Sequence, residues 1–300
     1  MDNNLIIYLN GQFLKQSEAK ISVFDQGILF GDGVFEGIRV YNRKIFKCQE
    51  HINRLYDSAK AIMLDIPLNK EELKEVMLEI CRRNKIVDGY IRLVVTRGIG
   101  DLTLYPVKIT QATVFCIAAT ITLYPSEVYQ KGMSIITSAR RTGTGAGVDP
   151  QIKSLNYLNH ILAKIEAHQV GKSEALMLTN EGIVAECTGD NIFIVKDNLV
   201  CTPPIHVGLL AGITRNTIIN LADKMGIKVI EKEFTLFNVY SADECFLSGT
   251  AAEVVPVREV DGRLIGNGKP GLITKKLLTA FQEYAKTHGT PIYKEEKHEK

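Results

Sequence analysis

The apolar positions of this chain change period along its length. Leu5-Ile-Ile-Tyr-Leu9 is a short β-type run closed by Asn10-Gly11, a dipeptide suited to a tight hairpin because both residues tolerate positive φ, and Gln12-Phe-Leu14 resumes the strand. This reads as a sheet edge leading into Gly31-Asp-Gly33. Residues 34–41 are strand-like, Asn42-Arg43 turns the chain, and Ile45-Phe46 pairs back. The period then lengthens: Leu55, Ala59, Ile62 and Met63 recur at helical spacing and predict a helix over 50–63, while Leu73, Val76, Met77 and Ile80 predict another over 70–84. Residues 90–96 and 111–119 are β-rich and long enough for central strands.

These elements make a smaller α+β domain over residues 1–120, and residues 121–132, with Pro125 among mixed polar positions, read as an interdomain linker. Residues 133–138 open a larger β-rich domain over 133–300, whose last regular element is a helix at 272–285. Residues 294–300 are nearly all Lys, Glu and His, the composition of a disordered tail. The fold class is therefore α/β with two domains, which 300 residues at 45% hydrophobic can support with full cores.

Charge and cysteine usage narrow the partners. A net charge of +2, with no Lys/Arg block interleaved with aromatics, argues against nucleic acid. The first ten residues lack a basic segment before their short apolar run, and no apolar run is long enough to span a bilayer, so the expectation is a cytoplasmic chain without membrane partners. Six cysteines at 48, 81, 116, 187, 201 and 245 form no C-x-x-C pair and have no histidine at ligand spacing, so they read as reduced thiols and no metal site is expected.

The candidate chemistry begins at Gln151-Ile-Lys-Ser-Leu-Asn-Tyr-Leu-Asn-His160, where Lys153 stands just before an apolar helix and Tyr157 follows four residues on. A lysine held in a partly desolvated pocket is nucleophilic enough to form an imine with an aldehyde. Helical spacing of four would bring the Tyr157 phenol to the same face. A surface lysine at a helix start is the plainer alternative.

Four other stretches carry weaker signals. Thr142-Gly-Thr-Gly-Ala-Gly147 lacks the spacing of a nucleotide loop and reads as a flexible loop leading to Lys153. Gly208-Leu-Leu-Ala-Gly-Ile-Thr-Arg215 opens a helix with an apolar face of Ile218, Ile219, Leu221 and Met225; the N–H groups of Ile213 and Thr214 would favour a dianion there, or Thr214 is simply a cap. Glu186 ends a strand in Val184-Ala-Glu-Cys-Thr-Gly-Asp-Asn-Ile-Phe193; if buried, its carboxylate needs a partner, and if solvated it needs none. Asp243-Glu-Cys-Phe-Leu-Ser-Gly-Thr-Ala-Ala252 is a strand followed by small residues that let backbone N–H groups approach an anion, with Thr250 adding a hydroxyl.

Together, Lys153 with Tyr157, Glu186 in Ala-Glu-Cys-Thr-Gly-Asp-Asn-Ile-Phe, Gly-Ile-Thr-Arg at 212–215 and Ser-Gly-Thr-Ala-Ala at 248–252 resemble the class IV aminotransferases, pyridoxal-phosphate enzymes of fold type IV. The likeness extends over nearly the whole chain and includes Phe30-Gly-Asp-Gly-Val-Phe-Glu-Gly-Ile-Arg39 and Glu50-His-Ile-Asn-Arg-Leu-Tyr-Asp-Ser-Ala59.

This resemblance implies a two-domain fold with pyridoxal 5′-phosphate between the domains. It implies that Lys153 carries the cofactor as an aldimine and then moves the α-proton, that Glu186 keeps the pyridine nitrogen protonated, and that Tyr157 hydrogen-bonds the 3-oxygen. Arg54, the backbone N–H groups of Ile213 and Thr214, and the Thr250 side chain would hold the phosphate. Tyr90-Ile-Arg92 resembles the branched-chain amino-acid enzymes in particular, so Tyr90 with the backbone of Thr250 and Ala251 would hold the α-carboxylate and Arg92 the distal carboxylate of glutamate. Phe35, with Phe30 and Val34, would line the apolar pocket.

The activity implied is ping-pong transfer from L-leucine, isoleucine or valine to 2-oxoglutarate by a homodimer or larger assembly. Phe30 stands where many relatives have Tyr, and the chain has no Trp where some relatives place one, so the finer substrate preference stays open. A D-amino-acid enzyme would carry Arg and His after Thr96-Arg-Gly98, and both are absent from residues 99–103. A D-amino-acid or (R)-amine transaminase, an aminodeoxychorismate lyase and a non-catalytic cofactor-binding module remain the alternatives.

Overall fold

The computed structural model describes residues 4–105, 111–121, 124–143 and 147–293. In chain order its elements begin β1 (Ile6–Leu9), β2 (Gln12–Lys15), α1 (Gln26–Phe30), β3 (Gly33–Tyr41), β4 (Lys44–Ile45), α2 (Cys48–Ala61), α3 (Lys70–Arg83), β5 (Gly89–Thr96) and β6 (Thr113–Ala119). They continue with α4 (Ser126–Lys131), β7 (Met133–Arg141), α5 (Leu158–Gln169), β8 (Glu174–Leu178), β9 (Val184–Cys187), β10 (Asn191–Lys196), β11 (Leu199–Thr202), α6 (Ile213–Lys224) and β12 (Val229–Glu231). The last are α7 (Leu236–Tyr240), β13 (Glu244–Gly249), β14 (Glu253–Val260), β15 (Arg263–Leu264), α8 (Leu272–Thr287) and β16 (Thr290–Pro291). The chain divides into two compact units, residues 1–121 with 152–156 and 285–300, and residues 122–151 with 157–284.

The first unit is built on a seven-stranded sheet in the order β16-β4-β3-β5-β6-β1-β2. Asn10 and Gly11 take φ of 45° and 88°, the paired positive values that let a two-residue turn follow the strand twist between β1 and β2. β3 and β5 pair antiparallel with Phe35 opposite Val94, Gly37 opposite Arg92 and Arg39 opposite Tyr90. Partners across a ladder share a face, and neighbours along a strand alternate. Val34, Ile38, Val40, Ile91, Leu93 and Val95 therefore share one face, and they join Ile52, Leu55 and Ala59 of α2 and Leu73, Met77 and Ile80 of α3 in one buried core. Each such aliphatic side chain contributes roughly 1.5–3 kcal/mol by leaving water. Phe35, Gly37, Tyr90 and Arg92 are left on the opposite face.

The second unit has a nine-stranded sheet ordered β12-β11-β10-β13-β14-β7-β8-β9, with β15 added beside β14. β7 and β8 are parallel and α5 is the crossover between them. Ala163 and Ala167 of α5 meet Ala175 and Met177 of β8, a buried contact in which the helix presents only alanine methyls to the sheet.

Several expectations are corrected. Residues 26–30 are a short helix, not sheet edge, because the Asp25 carboxylate caps it by accepting the Gly27 N–H. Met63 is not on the apolar face of α2: the helix ends at Ala61, and Met63 turns out with φ 52° and 87% exposure. The buried face of α6 is Ile213, Thr214, Arg215, Thr217, Ile218 and Ala222, whereas Met225 is exposed. Residues 126–131, set aside as linker, form α4 in the second unit, and 152–156 and 285–293, assigned to the second domain, belong to the first unit. Such discontinuity has no signature in local composition, because a five-residue excursion is made by long-range pairing. The centre of the glycine loop at 144–146 and the tail at 294–300 lie outside the described residues.

Candidate active site

Lys153 is seated by the sheet of the first unit. The Phe35 N–H donates to the Lys153 carbonyl (3.0 Å), the Leu155 N–H donates to the Gly33 carbonyl (2.9 Å), and Ser154 bridges Val34. β4 pairs with β3 only at Val40 and Tyr41, so residues 153–155 take the place beside the N-terminal half of β3. The Lys153 N–H donates to Ser58 Oγ on α2 (3.1 Å). The helical spacing expected of Lys153 and Tyr157 is therefore corrected: α5 starts at Leu158, and the backbone of Lys153 is committed to extended pairing.

Standing opposite Phe35, Lys153 shares its face with Phe35, Tyr90 and Arg92. Its Nζ lies 4.7 Å from the Phe35 ring centroid, and the Arg92 guanidinium lies 4.6 Å from that ring and 5.5 Å from the Tyr90 ring. Aromatic faces attract both cations without neutralising them. Gly37 makes room, since a Cβ there would stand 1.9 Å from the Tyr90 hydroxyl. Val34 is buried in the core on the far face, so its expected place in a pocket wall is withdrawn. Phe30 ends α1 with 38% exposure.

Glu36 alternates with Phe35 and faces α2. Arg54 grips it with Nε (2.7 Å) and Nη2 (2.8 Å), and His51 Nδ1 lies 2.7 Å from Oε2. His51, Arg54 and Ser58 fall at i, i+3 and i+7, one face of α2. Burial alone would push the Glu36 carboxyl up, but the charges and hydrogen bonds of Arg54 and His51 outweigh it and hold the group at about 2. Burial pushes the His51 imidazole down, against the pull of the neighbouring Glu36 carboxylate. Arg54, expected at a phosphate, thus has one edge of its guanidinium on Glu36.

In the second unit Glu186 lies on β9 opposite Met177 and is 6% exposed. Its Oε2 accepts the Leu210 N–H (3.1 Å), and its Oε1 is 3.7 Å from His160 Nε2. Tyr157 holds the N-cap position of α5, with its ring stacked on His160 at 4.9 Å. α6 begins at Gly212 with no side-chain cap, so its first N–H groups, including those of Ile213 and Thr214, have no partner within the helix. A Cβ on Gly212 would stand 2.0 Å from Asn191 Oδ1, and one on Gly249 would stand 1.8 Å from Asp190 Oδ1. Arg215 is buried behind the helix start, donating from Nη2 to the Pro203 carbonyl (2.9 Å) and pairing with Glu231 (3.0 Å). Thr250 and Ala251 form the half-buried turn between β13 and β14.

Within the second unit, an uncapped helix start suits a dianion, and a buried carboxylate met by a backbone N–H and an imidazole suits a protonated ring nitrogen, the two charged ends of a phosphorylated pyridine. Within the first unit, Lys153 offers an amine suited to an aldehyde. Glu36, His51, Ser58 and His160 escape the sequence reading. Glu36 had a signal, a carboxylate between the core positions Val34 and Ile38 in strand alternation; His51, Arg54 and Ser58 had the helical period.

The model for amino-transferase class IV matches residues 33–260. A putative branched-chain-amino-acid aminotransferase of Methanocaldococcus jannaschii is 51% identical over 289 residues, 96% of this chain and 99% of that protein. A D-alanine aminotransferase of Listeria monocytogenes is 38% identical over 283 residues, covering 92% and 95%. The crystal structure of the T.th. branched-chain amino acid aminotransferase with pyridoxamine 5′-phosphate superposes with a TM-score of 0.91 at 38% identity, over 94% of each chain. The chain belongs to the class IV aminotransferases, the family its motifs resemble.

Proposed function

We propose that this aminotransferase uses pyridoxal 5′-phosphate to move the amino group of branched-chain L-amino acids to 2-oxoglutarate. The observation that carries the reading is the face shared by Lys153, Phe35, Tyr90 and Arg92, where an apolar ring lies beside a guanidinium suited to a second carboxylate. Overall identity supports the branched-chain reading, since a putative branched-chain relative matches at 51% and a D-alanine relative at 38%.

The bound cofactor supplies a ring that draws electrons from the substrate Cα. Lys153 would hold the aldehyde carbon of the cofactor and would move the proton at the substrate Cα. Glu186 holds the pyridine nitrogen in its protonated form, and Tyr157 donates to the 3-oxygen. Arg54, the N–H groups of Ile213 and Thr214, and the Thr250 hydroxyl bind the phosphate. Tyr90 and the backbone of Thr250 and Ala251 orient the α-carboxylate. Arg92 meets the distal carboxylate of 2-oxoglutarate, and Phe35 with Phe30 lines the side-chain pocket.

The test is glutamate formation from 2-oxoglutarate with L-leucine, D-alanine or (R)-1-phenylethylamine as donor. L-leucine alone is expected to turn over rapidly, and Lys153→Ala to lose about a thousandfold in rate. Turnover of D-alanine or the amine instead would overturn the substrate assignment, and an active Lys153→Ala enzyme the assignment of the lysine.

The same reading makes the protein at least a homodimer. Val23, Phe24 and Ile28 around α1 and Ile99, Leu102 and Leu104 in the loop after β5 are exposed, and Gln26 ties the two stretches together through Gly98 (2.9 Å) and Asp101 (2.8 Å). Apolar residues gathered in this way mark an association surface.

A further inference from the structure

The run from Gln151 to His160 ends on a histidine to which the proposed function gives no role. His160 is in the first turn of α5, its ring 4.9 Å from that of Tyr157 with 30° between the planes. Its Nε2 lies 3.7 Å from Glu186 Oε1, and its side chain is 17% exposed. Its Nδ1 is buried and has no hydrogen-bond partner among the described residues. Since a carboxylate attracts a proton toward itself, the imidazole proton belongs on Nε2, facing Oε1.

We propose that His160 is a positioning residue that keeps Oε1 of Glu186 aimed at the pyridine nitrogen, while its ring backs Tyr157. The inference rests on the cofactor roles given above to Glu186 and Tyr157. Oε2 is fixed by the Leu210 N–H at 3.1 Å, so the carboxylate pivots about Oε2 and the oxygen left to swing is Oε1, which His160 faces. At 3.7 Å the imidazole is too distant to hydrogen-bond that oxygen in place of the ligand, yet close enough for its N–H dipole to draw Oε1 to one orientation. α5 carries the imidazole on a stiff mount, because Ala163 and Ala167 pack directly on Ala175 and Met177 of β8, and Met177 is the ladder partner of Glu186.

The test uses pyridoxamine 5′-phosphate, which binds without a bond to Lys153, and its 1-deaza analogue, whose ring lacks the nitrogen. Dissociation constants are measured by calorimetry on the apoprotein and on His160→Phe, which keeps the stacked ring and removes the N–H. The wild type is expected to prefer the nitrogen-bearing ligand. His160→Phe is expected to weaken that ligand about fivefold and leave the deaza analogue unchanged, with His160→Gln restoring part of the loss.

Equal weakening of both ligands would reduce His160 to a packing residue and overturn the inference, as would unchanged binding of both. A wild type that binds the two ligands alike would instead overturn the role of Glu186. Should His160→Phe fold poorly, the His160→Gln protein carries the same comparison, since its amide donor preserves the preference only if the N–H was responsible.

Discussion

Glu36 ties β3 to α2, the two elements that seat Lys153. Its carboxylate is fully buried under the strand that carries Phe35, and Arg54 and His51 satisfy it from the face of α2 that also offers Ser58 to the Lys153 N–H. With its folded value lowered from 4.5 to about 2, Glu36 contributes stability that is complete above about pH 4.5 and is lost as the pH falls through about 2. Glu36→Gln should lose about 3–5 kcal/mol at pH 7, because Arg54 then keeps a largely buried charge without this counter-charge. Its stability should also fall less steeply than that of the wild type between pH 4.5 and pH 2. Urea unfolding at pH 7 and pH 3 measures both, and matching acid slopes for the two proteins would show that Glu36 does not carry the linkage.

Among the elements, the start of α6 is the anion site proposed above, and its shape depends on an absent side chain. Gly212 has φ −65°, so the backbone itself tolerates alanine; the obstacle is Asn191, whose Oδ1 would stand 2.0 Å from the new Cβ. Asn191 is buried and donates to the Leu210 carbonyl (3.0 Å), on the same residue whose N–H holds Glu186, so it cannot swing aside without disturbing that loop. Gly212→Ala should fold with a loss of about 1–3 kcal/mol and bind pyridoxamine 5′-phosphate at least about tenfold more weakly. Wild-type affinity in a folded Gly212→Ala protein would remove this helix start from the binding site.

For the whole chain, the exposed apolar residues at 23–28 and 99–104 bear on assembly. A chain of 33.4 kDa should give about twice that mass by light scattering. Ile28→Asp combined with Leu104→Asp should shift it to the mass of one chain, since both side chains are largely exposed (59% and 82%) and the change cannot disturb a core. A wild type measured at the mass of one chain would end the dimer proposal. Among the described residues no helix is long and apolar enough to cross a membrane.

Much of the fold was legible because strand alternation and helical period are local. The β1–β2 turn follows from Asn10-Gly11, α3 from its apolar period, and β9 with Glu186 near its end from the run into Gly189. Family membership was legible for a different reason: several motifs in one order specify it together where none does alone. Packing settled the rest, because it depends on which backbone pairs with which. No local pattern says that residues 152–156 leave the second unit to pair beside β3, and so the spacing of Lys153 and Tyr157 suggested a shared helix that does not exist. Glu36 meets α2 only when the sheet and helix are packed, and His160 meets Glu186 only when α5 lies on β8. Local sequence was enough for most elements and for the chemical groups they carry; long-range hydrogen bonds and burial determined which of those groups share a face and which charges face each other.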